Sequence, residues 1–73
     1  MHEKVEITTD VIPLGQFLKL ANVLDTGGMA KWFLQEYTVY VNDEKENRRG
    51  KKLKPGDVVE VEGVGSFEVV KNS

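Results

Sequence analysis

Between Tyr37 and Thr38 the spacing of apolar residues in this chain switches from that of a helix to that of a strand, and no other feature limits the fold as much. Before the switch, Leu14, Phe17, Leu18 and Ala21 stand at i, i+3, i+4 and i+7, with Leu24 further on, which lays one apolar stripe along a helix. Pro13 suits the first turn, where its missing N–H would be unpaired anyway. Asp25, Thr26, Gly27 and Gly28 read as the end of that helix. A second helix is expected from about Gly28 to Glu36, with Thr26 as its N-cap and Met29, Ala30, Phe33, Leu34 and Tyr37 facing inward. Lys31 and Gln35, four residues apart, fall on a solvent face.

After the switch, Val39 and Val41 alternate with Thr38, Tyr40 and Asn42 in a strand that ends at Asn42-Asp43. Lys51 to Leu53 reads as a very short strand, and Val58 to Glu62 and Ser66 to Val70 as two more. Lys54-Pro55-Gly56-Asp57 is a turn, because proline sets φ at its second position and glycine takes positive φ at its third. Gly63-Val64-Gly65 makes a tight connection, and Val5 and Ile7 against Glu6 and Thr8 mark a short edge strand near the start. The order predicts an α+β domain, two helices packed on one side of a small, mostly antiparallel sheet of three to five short strands.

The chain has 73 residues, which suits one domain over 1–73, and it has no cysteine, so neither a disulfide framework nor a thiolate metal site is available. Packing alone must hold it together, with little margin at this size. No apolar run is long enough to span a bilayer and no secretion-signal core opens the chain, so a cytoplasmic protein without a membrane partner is expected.

The formal net charge of -2 argues against a nucleic-acid partner until its distribution is seen. Six of the ten basic residues, Lys45, Arg48, Arg49, Lys51, Lys52 and Lys54, fall within residues 45–54, opposed there only by Glu46. A polyanion responds to the local field, not to the total. The plain alternative for such a run is a solubilising loop, but the two adjacent arginines suit phosphate forks and ordered segments flank the run.

Nothing in the chain reads as catalytic, and no metal or cofactor is implied. His2 is the only histidine and reads as a frayed terminal residue. The adjacent carboxylates Asp43 and Glu44 sit in a turn, where they do not flank a substrate bond, and the remaining acids lack ligand spacing. Gly27-Gly28 belongs to no phosphate-loop pattern.

Four segments, taken in order, resemble one family: Leu14-Gly15-Gln16-Phe17-Leu18, Ala30-Lys31-Trp32-Phe33-Leu34, Val39-Tyr40-Val41-Asn42, and Leu53-Lys54-Pro55-Gly56-Asp57-Val58-Val59-Glu60-Val61. Their order and spacing resemble the S4 RNA-binding domain, an alpha-L type fold, over roughly residues 12–62, and the whole chain resembles the small stand-alone bacterial S4-like proteins of the YaaA type. The resemblance implies that the two helices and the adjoining loop form a surface for structured RNA. The family's first helix commonly opens with arginine and then L-D-K-F-L, where this chain has Pro13 and Leu14-Gly15-Gln16-Phe17-Leu18. Its second helix commonly begins with serine-arginine, where this chain has Thr26-Gly27, while Lys31 keeps the later basic residue. Positive charge has left the helix starts and gathered in the loop.

The expected function is therefore non-catalytic binding of structured RNA, ribosomal RNA or tRNA, with the ribosome or its assembly intermediates as partner. Arg48, Arg49, Lys51 and Lys52 are the expected phosphate contacts, joined by Lys45, Lys54 and Lys31, the last if its face adjoins the loop; Lys19 is a further candidate. Trp32 is expected to pack, since so short a chain needs its largest side chain, with stacking on an unpaired base as the alternative. Asn42 and Asp57 are expected to hold the strand end and the Pro-Gly turn. The competing reading is a protein-interaction module, using acids on the last two strands with Trp32 or Tyr40, and DNA binding is a third.

Overall fold

Asn22 ends the first helix, well before the glycines that the sequence suggests. In the computed structural model, which describes residues 2–72, α1 spans Leu14–Leu20 and Asn22 follows it with φ 64°. Its N–H donates to the Lys19 carbonyl (3.0 Å) and that of Val23 to the Leu18 carbonyl (2.9 Å), a paired closure that satisfies the helix's last carbonyls. Asparagine tolerates this left-handed conformation better than most residues, which gives it the role expected of Gly27-Gly28.

The start of α1 differs as well. Pro13 is extended (φ -64°, ψ 145°), so it precedes the helix as its cap position and does not occupy the first turn. It belongs to strand β2, Ile12–Pro13, which pairs antiparallel with β5, Lys52–Leu53. Helix α2 spans Ala30–Glu36 and is entered through a 3₁₀ turn, Gly27–Met29. Thr26 contributes its backbone carbonyl to the Met29 N–H (3.2 Å), and no side-chain hydrogen bond caps α2, so the expected Thr26 N-cap is replaced by a tightened turn.

The main sheet has five strands in the order β1-β7-β6-β3-β4, with β1 His2–Ile7, β3 Val39–Val41, β4 Glu44–Lys45, β6 Val58–Val61 and β7 Gly65–Lys71. All neighbours run antiparallel except β1 and β7, which are parallel from His2↔Ser66 to Ile7↔Lys71. His2 is thus held in a strand, its ring Nδ1 2.9 Å from Ser66 Oγ and its Nε2 3.3 Å from Glu68 Oε1, which corrects the expectation of a frayed residue. The strand β4 is likewise absent from the sequence reading, because Glu44 and Lys45 carry no apolar signal.

Register sorts the side chains onto two faces. Val39, Val41, Val59, Val61, Phe67 and Val69 are buried, together with Leu14, Phe17 and Leu18 of α1 and Ala30, Phe33 and Leu34 of α2. Tyr40, Glu60, Ser66 and His2 form a row across the sheet on its opposite face. The helices therefore cover one side only, as expected, and the other is polar. The inward face of α2 is narrower than its pattern suggests: Met29 and Tyr37 are exposed, and Trp32 is 51% exposed. Leu24 belongs to the same core, and the half-buried Val5, Ala21 and Val23 pack against it.

Candidate functional site

The basic segment is a shaped loop, tied at three places. Its entry is the hairpin turn between β3 and β4, where Asn42 (φ 51°) and Asp43 (φ 69°) both take left-handed conformations, as a two-residue hairpin turn that follows the sheet's twist requires. Next, the Glu46 carboxylate gathers the turn that follows: Oε2 accepts from the backbone N–H of Asn47 (3.2 Å) and of Arg48 (3.1 Å) and from Arg48 Nε (3.0 Å), while Oε1 accepts from Arg48 Nη2 (3.2 Å). Finally, the loop caps α1. The Arg49 carbonyl accepts from the Gly15 N–H (2.9 Å) and the Lys51 carbonyl from the Leu14 N–H (2.8 Å). Those amides have no partner within the helix, so the loop supplies what a side-chain cap would otherwise supply.

Gly15 makes that approach possible. A Cβ built there would lie 3.0 Å from Ala30 Cβ and 3.3 Å from Arg49 Cβ, so α1, α2 and the loop meet at one position without a side chain. In the sequence this glycine reads only as a weakness in the helix.

A second bracket closes the loop's far end. Asp57, buried behind the turn at Lys54-Pro55-Gly56, accepts from the Lys54 N–H at Oδ2 (2.9 Å) and from Asn42 Nδ2 at Oδ1 (3.0 Å). Asn42 Oδ1 in turn accepts from the Val58 N–H (2.9 Å). Asp57 thus holds the Pro-Gly turn as expected, while Asn42 reaches across to β6 and does not bond its own backbone. Burial pushes the Asp57 carboxyl up, but the Lys54 amide, the Asn42 amide and the Lys54 ammonium outweigh it and the net shift is downward.

This scaffold distributes the cations over three depressions. Arg49 lines a groove of about 750 Å³ with Gln16 and Lys19 of α1, over an apolar floor that includes Ile12 and Ala30. Lys51, Lys52 and Lys54 line a second, smaller depression with Glu44, Glu46 and Asp57. Lys31 lines a third together with Lys45, Glu46 and Asn47, so its face does adjoin the basic segment. Arg48 is the exception: it is paired with Glu46 through both Nε and Nη2, although its side chain is 74% exposed. Lys54 stands 3.6 Å from Asp57 and is open to solvent, an ion pair of small worth. Among the described residues, Lys19, Lys31, Lys45, Arg49, Lys51 and Lys52 take part in no ion pair. Lys19 is the residue whose place beside Arg49 the sequence alone leaves open.

The Arg48 guanidinium, helped by the Arg48 and Asn47 amides, holds the Glu46 carboxyl at about 2 against an ordinary 4.5. A carboxyl depressed in the folded state adds stability above its unfolded value, and that stability is lost as pH falls through the folded one. The expected result is an acid limb of the stability profile between about pH 4.5 and 2 that is visibly flatter in Glu46→Gln, read from urea midpoints across that range. An unchanged limb would show that the Glu46–Arg48 clasp does not persist in solution.

No helix among the described residues is long and apolar enough to cross a membrane, and no three His, Cys, Asp or Glu side chains converge there as metal ligands would. The S4 domain family model matches residues 5–70. The "Probable ribosome maturation protein RlbA" of Bacillus subtilis (strain 168) is 64% identical over 70 residues, covering 96% of this chain and 99% of its own length. The family match runs beyond the stretch of roughly 12–62 on which the sequence motifs rest, and takes in the second half of β1 and most of β7.

Proposed function

The chain belongs to the S4 domain family, and from that premise we propose that it is a non-catalytic module that binds structured RNA through the basic loop and the adjoining helix face. The observation that carries this reading is the anchoring of the loop: its carbonyls cap α1 and its glutamate clasps its own backbone, so cations with no ion pair among the described residues stand on a fixed scaffold. A fixed array of cations suits an RNA helix, which is recognised mainly by its shape and its phosphates. Arg49, Lys51 and Lys52 are the principal phosphate contacts, with Lys31, Lys45 and Lys54 at the margins. Arg48 contributes less, because a phosphate must compete with Glu46 for its guanidinium. The name of the Bacillus subtilis relative supports ribosomal RNA or a ribosome assembly intermediate, in the cytoplasm, as the partner over tRNA.

Titration of a folded ribosomal RNA fragment at several salt concentrations tests this. Affinity should fall with salt, and the combined change of Arg49, Lys51 and Lys52 to alanine should lower the logarithmic salt slope by roughly 2–3, at roughly 0.7–0.9 per lost contact. Arg48→Ala alone should weaken binding least among the loop cations. Binding that ignores both salt and these substitutions would refute the phosphate-contact reading.

The polar face of the sheet favours a second reading. Glu60 and Glu68 stand on β6 and β7 on the side away from the helices, and Tyr40 shares a row with Glu60. A basic protein partner would suit that face, and a stoichiometric partner that survives nuclease treatment while no RNA is retained would support it. Trp32 is not part of this patch, since it lies on α2 across the sheet.

A further inference from the structure

Trp32 is the only tryptophan of the chain, and the structure leaves half of it in solvent. Its ring stands nearly perpendicular to that of Tyr37, with centroids 6.4 Å apart and planes at 73°. Tyr37 in turn stacks on buried Phe33 at 4.5 Å and 20°. The core thus anchors Tyr37, and Tyr37 props Trp32, which makes an ordered aromatic step on the surface at the end of α2.

Tyr37 also lines the third depression, a cleft of about 510 Å³ that Lys31 of α2 and Lys45 of β4 line with it. Gln35 and Asn47 add neutral amide groups to its wall. Of its two carboxylates, Glu46 is engaged by Arg48 and only Glu36 has no ion pair among the described residues. Two lysines share the cleft with Tyr37, and Trp32 stands against Tyr37 outside its lining, an arrangement that matches a ligand that is anionic and flat.

We infer that Trp32, Tyr37, Lys31 and Lys45 form a site for one unpaired nucleotide of RNA, with its base stacked on the aromatic step and its flanking phosphates held by the two lysines. This rests on the RNA reading above and narrows it to RNA that presents an unpaired base beside a helical stem. Bases within a duplex have their faces covered by their neighbours, so an aromatic step selects for the base that has left the stack. An exposed apolar patch by itself also suits a protein partner. The paired lysines at the cleft decide for the polyanion here.

Because Trp32 is the only tryptophan, its fluorescence reads the contact directly. Three RNAs are titrated into the full chain: a hairpin with a single bulged adenosine, its fully paired counterpart, and the bulged hairpin with that base removed. The bulged hairpin should bind roughly tenfold more tightly than the other two, within the range for loss of one base–aromatic stack, and it alone should quench the fluorescence. Trp32→Ala should erase the preference and leave affinity for the paired hairpin within about twofold, while Trp32→Phe should keep part of it. Lys31→Ala and Lys45→Ala should each weaken the bulged complex and reduce its salt slope by roughly 1. The thermal midpoint of each variant confirms that the fold is retained. Equal affinity for all three hairpins with unquenched fluorescence overturns this site and leaves the RNA reading standing. Failure of these hairpins and of the ribosomal RNA fragment to bind at low salt overturns both.

Discussion

Replacement of Gly15 by valine is expected to lower stability by about 2–3 kcal/mol and to loosen the basic loop at the same time. The position lies where α1, α2 and the loop converge, and a side chain's first carbon there would meet Ala30 Cβ at 3.0 Å and Arg49 Cβ at 3.3 Å. Neither neighbour is the end of a flexible chain, so relief requires a backbone shift. Arg49 is the softer side, and its movement would break the hydrogen bond from the Gly15 N–H to the Arg49 carbonyl. For a domain of this size that loss corresponds to a thermal midpoint lower by roughly 10–20 °C. Circular dichroism melts check the stability, and RNA titration well below the new midpoint checks the loop. Gly15→Ala separates the two opposing effects, because alanine gains about 1 kcal/mol of helix propensity while meeting the same close contacts. A valine variant as stable as the parent would mean that the loop does not rest on α1.

Loss of the Asp57 carboxylate should cost as much. In Asp57→Ala, the Lys54 N–H and the Asn42 side-chain amide lose their acceptor, and Asn42 loses the partner that orients it toward the Val58 N–H. Loss of these part-buried hydrogen bonds to a charged acceptor costs about 2–3 kcal/mol in total. That is a large share of the roughly 4–10 kcal/mol expected of a domain this small. Equilibrium urea denaturation measures it. Asp57→Asn should fall between, because an amide keeps one acceptor and turns a donor toward the other. Asn42→Ala combined with Asp57→Ala should cost clearly less than the two single changes added together, since both act through one network. Additive losses would show that the two residues stabilise the fold independently.

These two positions show how far the sequence reaches. Asp57 is legible as a turn residue because Lys54-Pro55-Gly56-Asp57 states its own conformation, and the structure bears this out with Gly56 at φ 98°. Its bond to Asn42 is not legible, since it links residues 15 apart across strands whose pairing no local pattern reveals. Gly15 is visible only as a helix-weakening residue, because its reason lies in Ala30 and Arg49, which the fold brings to it. Trp32 departs from expectation for the opposite reason. The need of a small domain for a large buried side chain is real, but Phe17, Phe33 and Phe67 meet it, and α2 turns its narrow face of Ala30, Phe33 and Leu34 inward.

The candidate site divides in the same way. Residues 45–54 are marked as a basic segment by composition alone, and the S4 family by the order of four short motifs. Composition cannot tell a cation that is already paired from one that is not. Arg48 and Arg49 are neighbours in the chain, yet Glu46 takes the first and leaves the second over a groove with Lys19.

Local pattern is enough to specify the two helices, the strand at Val39–Val41, the Pro-Gly turn and the charge of the loop, because each depends on residues within a turn or a strand of one another. Tertiary structure alone decided the parallel pairing of β1 with β7, the capping of α1 by loop carbonyls, and the distribution of cations over three depressions. Those features join segments far apart in the chain, and contacts of that kind are fixed only when burial of the shared core brings the segments together.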